Sequence, residues 1–334
     1  MALLFYSLSF WILGAATVGV LLGGQWTWLG VFTVFVVHPL FDHLVFGKAE
    51  ARLRPSPTSG TLFLVATVPA VSIFLYLSLQ RAAQTEISVE FLGLVLSAGT
   101  LMGILGINVA HELIHRKEKW LRACGVYLLM LVNFAHWGIE HVHGHHKNVA
   151  TPLDSASSRE GEWLYSFWIR NYFGGLHSAL RIESQKRPWF LNKILGYFLG
   201  HLLTAGIVLE VWGIRGLLFG LGQSIVAILL LLSVDYIEHY GLQRNLKENG
   251  TYAPVSPEHS WDSYRAFTNY ALVNLGYHSH HHFKAVVPFY ELQKQESSSK
   301  LPLGYSGMIL LSLIPPAFFR VMKKHVDQTR NVPN

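Results

Sequence analysis

The sequence predicts an all-α integral membrane protein, with six transmembrane helices carrying a His-rich cap on their cytosolic side. Three observations predict it. Charged residues fill only 14% of 334 positions, hydrophobic ones fill 51%, and the mean hydropathy is +0.31; soluble domains carry about 25% charge. No Asp, Glu, Lys or Arg precedes Asp42. The 18 histidines gather in a few short motifs instead of scattering.

A spanning helix needs about 20 apolar residues. Leu3 to Leu22 supplies the first expected span, and Trp26 to Phe41 the second, after Gly23-Gly24. Nothing is charged between Arg54 and Arg81, which allows a third over 62–79. The fourth covers 91–110 and runs straight into His111. The fifth and sixth, 194–209 and 216–234, are joined by a tight turn around Gly213. The uncharged run 301–319 holds Pro302, Gly304, Gly307, Pro315 and Pro316, and such breakers suit a lid or interfacial segment better than a span. The apolar start has no basic n-region and is too long for a signal-peptide core, so no cleaved export signal is expected. Residues 1–334 are expected to form one membrane-embedded domain, with cytosolic segments 111–193 and 235–334.

Charge sets the orientation. With a cytosolic N-terminus, 24 of the 26 lysines and arginines face the cytosol, and only Arg81 and Arg215 lie in the outer turns. That is the positive-inside pattern of a multi-pass protein, here expected in a bacterial inner membrane with both termini cytosolic. The net charge of +6 is then a cytosolic surface suited to an acidic soluble partner. Nothing points to nucleic acid. Cys124 is the only cysteine, which excludes a disulfide scaffold, an internal iron–sulfur centre and a Cys-type zinc finger.

The histidines carry the chemistry. His111 and His115 stand in HELIH, His136, His141, His143, His145 and His146 in AHWGIEHVHGHH, His239 in YIEHYG, and His278, His280, His281 and His282 in HSHHH. On a helix, His at i and i+4 share a face and can bind one metal. The 141/145/146 and 278/281/282 patterns each offer such a pair plus a neighbour that can reach a second metal. Eight His in three motifs, with His239 besides, exceed what one four-coordinate zinc uses, so two metals are expected. Imidazole alone does not choose between iron, copper, nickel and zinc. His136, His143 and His280 break the spacing and are expected behind the ligands or in solvent. Glu112, Glu140, Asp235 and Glu238 are expected to orient imidazole N–H groups. HELIH also satisfies the HExxH protease signature, but a zinc protease would leave the other motifs unemployed.

At these motifs the chain resembles the membrane-bound alkane 1-monooxygenases, non-haem di-iron hydroxylases of the His-box superfamily of fatty-acid desaturases. HELIH and EHVHGHHKNVATPLDSASSREGE resemble the first two boxes, and YIEHYG the signature that separates alkane hydroxylases from desaturases. EHSWDS and TNYALVNLGYHSHHH resemble the approach to the last box, and LPLGYSGMILLSLIPPAFFRVMKK the C-terminal segment. His280 and Tyr277 depart from the family's usual Asp and Arg. The resemblance implies nine ligands to two irons: His111, His115, His141, His145, His146, His239, His278, His281 and His282. It implies hydroxylation of an alkane drawn from the bilayer, with O2 and two electrons from outside. The chain has no dinucleotide-binding GxGxxG, so rubredoxin or ferredoxin with its NAD(P)H reductase is the implied partner. A fatty-acyl desaturase or hydroxylase and an alkyl-aromatic side-chain hydroxylase are the alternatives.

Overall fold

The computed structural model describes residues 6–43 and 54–330. Among these residues the chain is all-α apart from isolated bridges, such as that between Leu246 and Tyr252, and one parallel pair of two-residue strands, β1 (Trp261–Asp262) and β2 (Ser299–Lys300). Helix α1 is Leu8–Leu22; α2 is Pro57–Gln84; α3 is Val89–Ile114, and it contains a π turn over Met102–Ile107. Helix α4 is Lys119–Leu131, α5 covers 137–148, and α6 is Leu164–Lys186. Helix α7 is Lys193–His239, α8 Ala266–Ala271, α9 His278–Phe283, α10 Tyr305–Ser312 and α11 Pro315–Arg330.

Among the described residues, three helices are long and apolar enough to cross a membrane: α2, α3 and α7. This corrects the expectation of six spans. Helix α1 has 15 residues and stops where Gly23 turns to φ 71°; residues 3–5 of the expected first span lie outside the described residues. The expected second span is helical throughout but irregularly wound, passing from a 3-10 turn at Gly24–Trp28 through a helical turn and a π turn at Thr33–Val37 to a last turn at His38–Phe41, so that no single regular helix of span length forms there. The fifth and sixth expected spans fall in the 47-residue stretch Lys193–His239, two helical stretches that meet at a kink where Gly213 leaves helical geometry, φ 66° and ψ -170°, at the turn the sequence places there. Apolar composition predicted the runs; glycine backbone freedom at Gly23 and Gly213 decided where the chain turns. The protein is an integral, multi-pass membrane protein.

Local signals start the two spans that bracket the core. Ser56 caps α2, accepting from the Ser59 N–H at 3.2 Å with Pro57 in the first turn, and Ser88 caps α3. Helix α3 is the spine: 78% of its apolar window is buried inside the protein, against 39% for α2 and α7, whose remaining faces suit lipid. Gly99 brings α7 onto α3, since a Cβ there would sit 2.4 Å from Val226. The segment 301–319 divides into α10 and the start of α11, and α10 packs on α7 beside the buried end of the bundle.

Candidate metal centre

Four stretches of chain deliver the histidines to one place. The end of α3 brings His111 and His115, α5 brings His141, His145 and His146, the end of α7 brings His239, and α9 brings His278, His281 and His282. They sort into two groups. His111, His115, His141, His146 and His281 form one, and His145, His239, His278 and His282 the other, each with its ligating atoms within 4.8 Å of one another. The groups touch: the His146 and His282 rings stack at 4.5 Å.

The sorting follows local helix geometry. His111/His115 and His278/His282 are i,i+4 pairs that each stay within one group. Residues 141–145 form a π turn, whose wider winding pairs His141 with His146, five residues on, at 3.1 Å between Nε2 atoms. His145 is thereby sent to the second group, where its Nε2 stands 3.2 Å from that of His282. The sequence spacing paired His141 with His145; the π turn separates them.

These nitrogens fit metal ions better than they fit one another. His281 Nε2 lies 2.9 Å from His111 Nε2 and 3.1 Å from His146 Nε2, and His278 Nε2 lies 3.2 Å from His239 Nε2. An imidazole nitrogen holds one proton or one lone pair, so such a convergence cannot all be hydrogen-bonded. The buried His115 Nε2 has no partner among the described residues. Bonds of about 2.1 Å from a common ion would set adjacent nitrogens about 3 Å apart, as they are here. Burial keeps the donors neutral: it lowers His115 to about 4 and holds His141, His146, His278, His281 and His282 well below the usual imidazole value.

His145 is the exception. Burial alone would push it down, but the Asp154 carboxylate 2.9 Å from its Nδ1 outweighs burial and holds it up at about 9. Asp154 is fixed in turn by the Ser157 hydroxyl at 2.6 Å and the Ala156 N–H at 3.1 Å. At neutral pH the metal-free ring therefore carries a proton on each nitrogen; Asp154 keeps the one on Nδ1, and an ion at Nε2 would displace the other. A second carboxylate, Asp262 in β1, accepts from the Ser279 N–H at 2.7 Å and the Ser279 hydroxyl at 2.5 Å, pinning α9 while β1 pairs with β2. Neither aspartate stood among the expected site residues, although TPLDSAS and EHSWDS were part of the resemblance.

The expected helpers divide. Glu238 reaches the centre: its Oε2 is 3.3 Å from His278 Nε2, and the Tyr305 hydroxyl of α10 donates to its other oxygen. Glu140 lies against Gly144 and Ser178, and burial beside Asp154 raises it to about 8. Asp235 accepts from Asn171 at 3.0 Å. Glu112 turns away, pairing with Arg116 at 2.7 Å and accepting from the Phe289 N–H at 3.2 Å, so the protease reading loses its general base. His136 packs on Phe134 and Tyr172, His143 is exposed, and His280 Nδ1 accepts from the Gln293 N–H at 2.8 Å. A narrow apolar cavity between α3, α7 and α10, with Val34, Ile104, Leu230 and Ile309 in its wall, opens onto His111, His141 and His278.

Comparison with known proteins places this geometry. The fatty acid desaturase family model matches residues 88–308. Alkane 1-monooxygenase 2 of Pseudomonas aeruginosa is 37% identical over 90% of this chain and 84% of its own, and Alkane 1-monooxygenase 2 of Alcanivorax borkumensis is 34% identical over 94% and 86%. The xylene/toluene monooxygenase hydroxylase component of Pseudomonas putida is 30% identical over 92% and 84%. The family's cofactor, a pair of non-haem irons, fits an all-imidazole donor set in two adjacent groups. With its motifs folded into that paired centre, the chain belongs to the alkane 1-monooxygenase family of the desaturase-like His-box superfamily, the membrane-bound di-iron oxidoreductases.

Proposed function

We propose that the protein hydroxylates terminal C–H bonds of alkanes to 1-alkanols with O2. One observation carries the reading: the apolar cavity ends on two adjacent imidazole groups. In this reading His111, His115, His141, His146 and His281 hold one iron, and His145, His239, His278 and His282 the other. The irons supply oxygen activation when bound; the protein's part is placement and dryness. Val34, Ile104, Leu230 and Ile309 bind the hydrocarbon by burial and exclude water. Trp137, stacked on His141 at 4.4 Å, and Asp154, on His145, fix the orientation of two ligands. Glu238, beside His278 and held by Tyr305, is the carboxylate placed to hold a proton at the centre.

The chain is one domain in this reading, with 111–193 and 235–334 on the cytosolic side and α10 as the lid. The family works with external electron transfer, here a rubredoxin or ferredoxin and its NAD(P)H reductase. Purified protein with octane, O2 and NADH should form no octanol until such a carrier and reductase are added. Raising salt should then lower the rate at limiting carrier, because screening shortens the reach of the cationic surface to about 8 Å at 0.15 M. The similarity to the xylene/toluene enzyme favours a second reading, oxidation of alkyl side chains on aromatics. Toluene turned over while octane is left untouched would select it, and an unsaturated acyl product would select desaturation.

A further inference from the structure

One side chain in the cavity wall has no use in the reaction so far derived. Asn108 donates to the Leu272 carbonyl at 2.6 Å, Asp235 accepts from Asn171, Glu238 accepts from Tyr305, and Thr268 donates to Asp42. His38 lines the same cavity and is 3% exposed, yet its Nε2 has no hydrogen-bond partner among the described residues. Its ring is held edge-on against Phe267, centroids 4.7 Å apart, in the short helical turn His38–Phe41 that follows the π turn of Thr33–Val37. Ser306 of α10 adds a hydroxyl to the same lining, and α10 packs on that turn.

A buried imidazole nitrogen facing hydrocarbon is costly, because an alkane can neither donate to it nor accept from it. A hydroxyl can do either, so it serves both tautomers of the ring. We propose that His38 is a specificity-determining residue whose Nε2 hydrogen-bonds the oxygen of a hydroxylated chain, so that the cavity retains a straight-chain primary alcohol more firmly than the alkane of equal length. The identity of the chain rests on the alkane-hydroxylating reading above; the unmet nitrogen does not. The alcohol formed in the cavity is thus held until it is displaced, and it competes with the next hydrocarbon for the same wall.

The test uses the iron-loaded protein in nanodiscs. Retention of radiolabelled 1-octanol and of octane is measured beyond that of empty nanodiscs, for the wild type, His38→Leu and His38→Gln. Iron content shows that each variant is folded. The wild type should retain octanol in preference to octane, His38→Leu should lose that preference by about tenfold, and His38→Gln, which keeps a hydrogen-bonding group, should stay within about threefold of wild type. Octane retention should move by less than about twofold. With carrier and reductase supplied, Ki for 1-octanol should rise in His38→Leu by the same factor while KM for octane barely changes. No preference in the wild type, or full preference kept by His38→Leu, overturns the proposal and leaves water as the partner of Nε2. If no protein turns over octane, the proposed function fails, and the retention ratio still decides the role of His38.

Discussion

At His145 the ligating nitrogen is chosen by what happens at the other one. Asp154 takes Nδ1–H, and a buried carboxylate of this kind typically governs metal affinity by one to two orders of magnitude. Asp154→Asn should therefore keep the fold and lower iron affinity by about 10–100-fold, measured by titrating iron into the apo-protein. His111→Ala, His146→Ala, His239→Ala or His282→Ala should each reduce iron below about half of the wild-type two per chain and abolish hydroxylation, read by metal analysis and product assay. His143→Ala should leave both within about twofold, because His143 faces solvent. The histidines could be read in the sequence because imidazole at helical spacing is rare without a purpose. Asp154 and Asp262 could not, since an aspartate among Ser, Thr and Pro has the local look of a turn, and only folding puts it behind a ligand.

The π turn at 141–145 is the element that makes two metal groups from one short motif. It was not legible, because a single extra residue per turn leaves composition and apolar pattern unchanged, and the motif read equally well as ordinary helix. The turn has little room: a Cβ on Gly144 would sit 2.5 Å from Glu140 Oε1 and 2.9 Å from Ser178 Oγ. Deleting Gly144 removes the extra residue and brings His141 and His146 to the four-residue spacing of an α-helix. The deletion variant should hold about one iron or fewer per chain, with all nine histidines still present, as counted by metal analysis of the purified protein. Span boundaries were hidden for a similar reason. The apolar runs and the turn at Gly213 were plain, but Gly23 at φ 71° ends the first helix after 15 residues and a π turn interrupts the winding at Thr33–Val37, and hydropathy is blind to both. The all-α class and the gathering of histidines needed only composition and spacing, and these the structure bears out.

Across the whole molecule the paired centre ties together residues from His111 on the buried spine to His282 on a six-residue helix, segments that share little other secondary structure. Ions bound there stabilise the folded state by mass action, so chelating the iron should lower the unfolding temperature by about 5–10 °C in a thermal-shift measurement. In the apo-protein the buried imidazoles whose values are lowered act on stability in one direction, opposed by raised groups such as His145 and Glu140. His115 and His136 are lowered from 6.5 to about 4, so the unfolded chain binds more protons between these values, and stability falls as pH drops through about 6.5 to 4. Apo-protein melted at pH 5 should therefore unfold below the temperature seen at pH 7, and a flat profile over that window would show that these rings are not buried neutral. Fastening the last box to the spine through ions has a further result for the living cell. When iron is scarce, newly made chains would have α9 held by Asp262 but without the ions that fasten it to the spine, and so be more open to quality-control proteases, so that the quantity of protein as well as its turnover would track the iron supply.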